Sequence, residues 1–218
     1  MLLAQARDEV VLTCRELLSA GLVSGTSGNV SVRVGGLVAV SPTGVDYLEL
    51  TAEQVGVHRL DGEPADAPLA PTSELPLHLA VYAATGAGAI VHTHSVAATA
   101  LSCVADELPA VHYLVALFGG PVPVARYATY GSPRLAAYVA AALGERTACL
   151  MANHGAVVTG ADSHAALTGS IYLEWLCEVY LRTLTTGLSP RLLPDDEIGR
   201  VAAKLAGYGQ QGLGQQRP

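Results

Sequence analysis

Two short β-branched runs, Val30 to Val34 and Leu37 to Val40, meet across Gly35-Gly36. Such a connection closes a tight antiparallel hairpin, because glycines adopt the backbone twist that matches the flanking strands. A hairpin is not stable alone; its apolar side needs a cover, and the chain supplies helices for it. Upstream, Leu3, Ala6, Val10, Cys14 and Leu17 recur at steps of three and four, an amphipathic helix that Gly21 stops. Downstream, a second turn at Ser41-Pro42-Thr43-Gly44 precedes a short strand around Val55 to Leu60 and a Pro, Asp and Gly loop reaching residue 71. A helix is expected from near Ser73, with Glu74 in its first turn and Leu75, Leu79 and Tyr82 on one face. Alternation then continues: strand Ala89 to Thr93, helix Val96 to Val104, strand Val122 to Ala125, helix Arg134 to Leu143, and strands Thr147 to Ala152 and Ala156 to Thr159. Helices over His164 to Leu184 and about Asp195 to Leu205 close the series. The expectation is an α/β fold: a single layered domain over residues 1–207, with a central, mainly antiparallel sheet flanked by helices. The Gly- and Gln-rich stretch 208–218 is expected to be a mobile tail.

A chain of 218 residues suits one core. Apolar residues make up 50% and charged ones 14%, against roughly 25% charged in ordinary soluble domains. Disorder needs the reverse balance. The surface is therefore either unusually bland or partly buried against other chains. A net charge of −7 and a pI near 5.4 argue against a nucleic-acid partner, since phosphate-backbone affinity is supplied by clustered Lys and Arg. No membrane partner is expected, because no stretch approaches the ~20 apolar residues a span needs. Arg7, Asp8 and Glu9 interrupt any leader-like run at the start. Cys14, Cys103, Cys149 and Cys177 form no CxxC pair and read as reduced, buried thiols of a cytoplasmic protein.

The sharpest chemical signal is His92-Thr93-His94. On a strand, a two-residue step puts both imidazoles on one face, where they can share a cation. An isolated HxH is as readily two ordinary hydrogen-bonded histidines. His154, in Asn153-His154-Gly155 between two strands, adds a third donor. Three imidazoles plus one open position make a catalytic zinc site, whereas a closed structural site would carry Cys ligands. Glu74 follows Pro71-Thr72-Ser73, an acid beside two hydroxyls and backbone amides, suited to holding an anion and moving a proton or simply to favouring a helix start. Gly25-Thr26-Ser27-Gly28-Asn29 and Ser41-Pro42-Thr43-Gly44 leave N–H groups accessible as a phosphate requires, and are equally what tight turns look like. His58, His78, His112 and His164 are read as structural or solvent-facing.

Taken in order, Gly-Thr-Ser-Gly-Asn-Val-Ser (25–31), Ser-Pro-Thr-Gly (41–44), Pro-Thr-Ser-Glu (71–74), Val-His-Thr-His (91–94) and Asn-His-Gly (153–155) resemble the class II aldolase and adducin-head family. Within it the resemblance is to the aldolases of deoxyketose 1-phosphates, L-fuculose 1-phosphate among them. Val111-His112-Tyr113 and Tyr127-Ala128-Thr129-Tyr130-Gly131 extend it. The resemblance implies one Zn2+ per subunit held by His92, His94 and His154, with Glu74 both touching the metal and acting as the catalytic carboxylate. It implies a substrate phosphate at Thr26, Gly28, Asn29, Thr43, Gly44, Thr72 and Ser73. Tyr113 and Tyr208 correspond to catalytic tyrosines, the first contributed to a neighbouring subunit, the second from the tail. Departures are Asn153 where a His is common, Tyr130 where a Phe is common, and Thr72 for a Ser.

The implied reaction is reversible cleavage of a ketose 1-phosphate to dihydroxyacetone phosphate and a short aldehyde, in a homotetramer with sites at subunit interfaces. Family rivals are ribulose-phosphate 4-epimerase, whose pattern has Asp at the position of Glu74, and methylthioribulose-1-phosphate dehydratase. An adducin-like scaffold lacks the histidine set, and a zinc hydrolase leaves the phosphate turns unexplained.

Overall fold

A computed structural model describes residues 1–207 of the chain. The glycine pair closes the hairpin as expected: β1 (Asn29–Val34) runs antiparallel to β2 (Leu37–Val40), Val34 lies opposite Leu37, and Gly35 takes φ +59°. From β2 the sheet extends to β3 (Gly56–Arg59) and then β4 (Pro64–Asp66). On the other side, β1 pairs with β5 (Ala89–Thr93). Next come β9 (Gly155–Gly160), β8 (Ala148–Met151), β7 (Val122–Ala125) and β6 (Glu107–Leu108), which completes nine strands. All pairings are antiparallel except that of β7 with β8.

Period-two alternation assigns the faces. Val38, Val40, Ile90 and Val157 pack under α2 (Leu75–Ala84) and α4 (Pro133–Leu143). Their neighbours Ala39, Ala89 and Val91 pack with α1 (Ala4–Ser19) and the start of α5 (Ser163–Leu184). Ala156 and Val158 join α3 (Val96–Ser102), the rest of α5 and α6 (Asp195–Leu205) on that second side. Helices thus cover both faces of one sheet, each side chain choosing its core by parity. No described helix is long and apolar enough to cross a membrane.

Three expectations are corrected. Helix α2 begins at Leu75, so Glu74 is its N-cap rather than part of the first turn. Pro at the second helical position suits this start. Strand β5 covers Ala89–Thr93 as expected, with His94 just past its end. Cys103 is exposed, whereas Cys14, Cys149 and Cys177 are buried. Two short strands and a six-residue 3-10 turn (Tyr113–Phe118) form where no element was expected, because Pro64-Ala65-Asp66 and Glu107-Leu108 lack strand composition and pair through their neighbours. Tyr208 and the tail lie outside the described residues.

Arg7, only 1% exposed, ties α1 to the β3–β4 edge. Its guanidinium donates to the main-chain carbonyls of Leu2, Ala52, Glu53, Val55 and Asp66, and pairs with the Asp66 carboxylate at 2.7 Å. The fork of five N–H donors is what makes so many simultaneous bonds feasible.

Candidate active site

Register brings the candidate residues together. Asn29 on β1 sits directly across from His92 on β5, and His92 in turn from Val157 on β9. The β8–β9 turn folds back against the end of β5 with Asn153 at φ +55°. A Cβ at Gly155 would stand 2.1 Å from the Thr93 carbonyl, so only glycine lets His154 approach that closely. Opposite, the N-cap of α2 delivers Glu74. The three imidazole rings lie 4.8–5.0 Å apart, centroid to centroid. Glu74 Oε2 is 2.8 Å from His92 Nε2, and Oε1 is 3.5 Å from His154 Nε2. His92 Nε2 and His94 Nε2 are 2.9 Å apart. One ligand atom from each of Glu74, His92, His94 and His154 falls within 4.8 Å of all the others.

Burial alone would raise the Glu74 carboxyl, but positive charge on His92, with hydrogen bonds from His92 and Asn29, holds it well below the usual carboxylate range. Burial likewise opposes charge on His92, yet Glu74 outweighs it and the ring is raised. His94 is pushed down to about 4 by burial and then by its neighbours' charge, and His154 is lowered for the same reasons.

These residues fit a metal ion. His92 Nδ1 donates to the Ala156 carbonyl at 2.9 Å, which turns Nε2 inward, the arrangement that orients a ligating histidine. Glu74 Oε1 is buried without a hydrogen-bond partner, an acceptor facing the gap between the rings. Neutral imidazoles and a carboxylate form an N/O donor set suited to a divalent cation of the zinc type.

Beside the cluster opens a cavity of about 130 Å³. Thr26, Gly28, Asn29, Thr43, Gly44, Thr72 and Ser73 all line it, together with Glu74, His94 and His154. The turns that carry them are knitted to one another: Thr43 N donates to Ala70 O at 3.1 Å and Thr72 N to Ser41 O at 3.0 Å. Tyr47 OH secures Gly28 O at 2.7 Å. Gly28, at φ +80°, is irreplaceable because a Cβ would lie 2.7 Å from the His92 carbonyl. Ser27, Pro42 and Tyr130 also line the cavity, Tyr130 being 67% exposed.

Tyr113 does not line this cavity. It opens the 3-10 turn, half-exposed, with His112 at 4.5 Å between ring centroids and Trp175 beyond His112 at 4.9 Å. Two contributors escaped the sequence reading. His78, read only as structural or solvent-facing, is wholly buried and bonds the site residue Asn29. Glu174 on α5 accepts from Ala97 N and Ala98 N at 2.7 and 2.8 Å, anchoring α3 directly after His94. The four-residue spacing of Glu74 and His78 was the available signal for the first; the second is a long-range contact with no local trace.

Residues 8–181 match the family described as Class II Aldolase and Adducin N-terminal domain. A 5-deoxy-D-ribulose 1-phosphate aldolase of Bacillus thuringiensis is 40% identical over 97% of this chain and 100% of its own length. An L-fuculose phosphate aldolase of Haemophilus influenzae is 37% identical over 94% of this chain and 96% of its own. Among solved structures, an L-fuculose 1-phosphate aldolase superposes with TM-score 0.91 at 33% identity, covering 94% of this chain and 98% of that one. With the family match over residues 8–181 taking in the whole sheet and the four clustered residues Glu74, His92, His94 and His154, the chain belongs to the class II aldolase and adducin N-terminal domain family.

Proposed function

We propose that this class II aldolase is zinc-dependent and reversibly cleaves a deoxyketose 1-phosphate to dihydroxyacetone phosphate and a short aldehyde. The observation that carries the reading is the convergence of Glu74, His92, His94 and His154 on one point beside a cavity walled by three amide- and hydroxyl-rich turns. The relatives named above act on 5-deoxy-D-ribulose 1-phosphate and L-fuculose 1-phosphate. Both are ketose 1-phosphates that lack one hydroxyl, so one anion cradle and one carbonyl site serve either.

Cleavage leaves negative charge on the ketone fragment, and His92, His94 and His154 would hold the zinc ion beside it. When bound, zinc supplies Lewis-acid stabilisation of that charge. Glu74 exchanges the proton at the carbon that becomes the nucleophile in the synthetic direction. Its carboxylate is ionised, and its Oε1 has no hydrogen-bond partner and faces the gap between the rings. Turn amides and hydroxyls at Thr26, Gly28, Asn29, Thr43, Gly44, Thr72 and Ser73 bind the phosphate. Binding energy from this non-reacting end positions the reacting carbons. Tyr113, which does not line its own chain's cavity, is the proton donor and acceptor for the aldehyde oxygen in a neighbouring subunit of a homotetramer, and Tyr208 is the second catalytic tyrosine. Site residues in a compact cavity explain how an acidic chain binds an anion: the donors act locally, whatever the net charge.

The test is product identity. Purified protein incubated with either ketose phosphate is expected to release dihydroxyacetone phosphate in step with aldehyde. An epimer or a dehydrated sugar without dihydroxyacetone phosphate would overturn the reading in favour of the rival reactions of the family.

A further inference from the structure

Behind Glu74, away from the cavity, the polar residues do not stop. Glu74, His78 and Tyr82 form one stripe of α2 at four-residue steps, and Asn29 and Ser31 form one row of β1 at a two-residue step. Four residues of helix rise about 6 Å and two of strand about 6.7 Å, so the two rows interleave like teeth. Asn29 Nδ2 donates to Glu74 Oε2 at 3.1 Å. His78 Nε2 lies 2.5 Å from Asn29 Oδ1. His78 Nδ1 lies 2.6 Å from Ser31 Oγ, which lies 2.8 Å from Tyr82 OH. Every one of these side chains is buried, His78 and Ser31 completely.

The chemistry of the end group fixes the direction of the whole chain. An ionised carboxylate only accepts, so the Asn29 NH2 faces Glu74 and the Asn29 carbonyl faces His78. His78 Nε2 must then carry a hydrogen. His78 is wholly buried with its two ring nitrogens against a neutral amide and a neutral hydroxyl, so the ring is neutral and its Nδ1 is an acceptor. Ser31 donates to Nδ1, and Tyr82 donates to Ser31. All donors point toward the site.

We propose that this one-way relay, Tyr82 to Ser31 to His78 to Asn29, makes His78 a positioning residue that locks the Asn29 amide with its donor end in the active site. The Asn29 amide can then only donate, to Glu74 in the resting chain and to an anionic substrate oxygen when one is bound. Were Nδ1 to hold the hydrogen instead, Nε2 would confront the Asn29 carbonyl, the amide would turn over, and its oxygen would repel Glu74 and any anion. Sequence neighbours of the same polarity would not do this, because only a ring with two distinct nitrogens transmits the direction from Ser31 to Asn29.

The functional half of this inference rests on the aldolase reading; the structural half does not, and two experiments separate them. In protein labelled with 15N-histidine and loaded with zinc, His78 is expected to show a hydrogen on Nε2 and none on Nδ1 in spectra that distinguish the tautomers. A hydrogen on Nδ1 overturns the relay whatever the enzyme's activity. Ser31→Ala, which leaves Nδ1 without its donor, is expected to move His78 toward the other tautomer. With either ketose phosphate, it is expected to lower kcat about tenfold while the bound zinc content is unchanged. Tyr82→Phe, which keeps the buried ring and removes only the first donor, is expected to lower kcat less, in the same direction, and serves if Ser31→Ala does not fold. Folded variants with wild-type kcat and an unshifted His78 spectrum contradict the positioning role. If the wild type cleaves neither substrate, the aldolase reading fails, and the tautomer of His78 still decides the relay.

Discussion

Gly28 and Glu74 stand at the two walls of the same cavity, and each has a chemical reason to be what it is. A methyl at residue 28 would meet both the His92 carbonyl and Val23 Cγ1, at a backbone angle that side chains rarely adopt. Gly28→Ala is expected to lower stability by about 2 kcal/mol or more, read as a fall in Tm, and to weaken metal binding by displacing β5. An unchanged Tm and metal affinity would show that the strand edge yields freely. Glu74→Gln keeps the shape and the hydrogen bonds but removes the base. Turnover is expected to fall about 10²- to 10⁴-fold with the three-histidine metal site still filled. Loss of metal alone, with turnover restored by excess zinc, would assign Glu74 to metal binding and not to proton transfer. At this scale the candidate ligands were legible mainly through the family resemblance, since each motif alone also admits a structural reading. The two-residue step of His92 and His94 hinted at a shared cation, the resemblance joined His154 and Glu74 to it, and all seven proposed phosphate residues line one cavity. What stayed hidden was the role of His78: its four-residue step from Glu74 was a signal, but nothing local marked the asparagine it bonds across forty-nine positions.

Elements are held in register by a few buried polar contacts. Arg7 satisfies main-chain carbonyls of three separate segments, so Arg7→Met is expected to cost about 3 kcal/mol and to loosen the β3–β4 edge first. Hydrogen exchange would show that edge opening before the β5–β9 centre; uniform loosening would contradict the staple. His78 gives the packing of α2 on β1 a pH dependence. Its folded pKa of about 3 lies below the usual value near 6.5, so between those limits the unfolded chain binds the extra proton. Stability is therefore full above about pH 6.5 and falls on acidification, by at most about 1.4 kcal/mol per pH unit from this one group. His78→Gln is expected to flatten the dependence of Tm on pH between 6.5 and 4, and an unaltered slope would assign the acid sensitivity elsewhere. Long, periodic elements were readable: α6 spans Asp195–Leu205 as expected, and α4 and α5 differ by one residue at their starts. Strands β4 and β6 were not, since two or three residues of weak propensity become strands only when a neighbour offers its edge.

For the whole molecule, the shortage of charge noted in the sequence acquires a location. Tyr113, Leu117, Ile171, Tyr172 and Trp175 are all more than a third exposed, an apolar band on the 3-10 turn and α5. A band of this kind is characteristic of subunit contacts, and it includes the tyrosine proposed to serve a neighbour's site. Light scattering is expected to give the mass of a tetramer, and Trp175→Glu is expected to release smaller species with sharply reduced turnover and metal content unchanged. An active monomer would remove Tyr113 from the mechanism. Composition alone could not place the proposed assembly, because a shortage of charge does not say which surface another chain would cover.

The central claim, that the carboxylate and three histidines form a zinc centre for carbon–carbon cleavage, is tested most directly by metal removal. Protein stripped with a chelator should release no dihydroxyacetone phosphate from 5-deoxy-D-ribulose 1-phosphate or L-fuculose 1-phosphate. Release should return as zinc is added back and should level off at one zinc per chain. Full activity in the stripped protein would contradict the account.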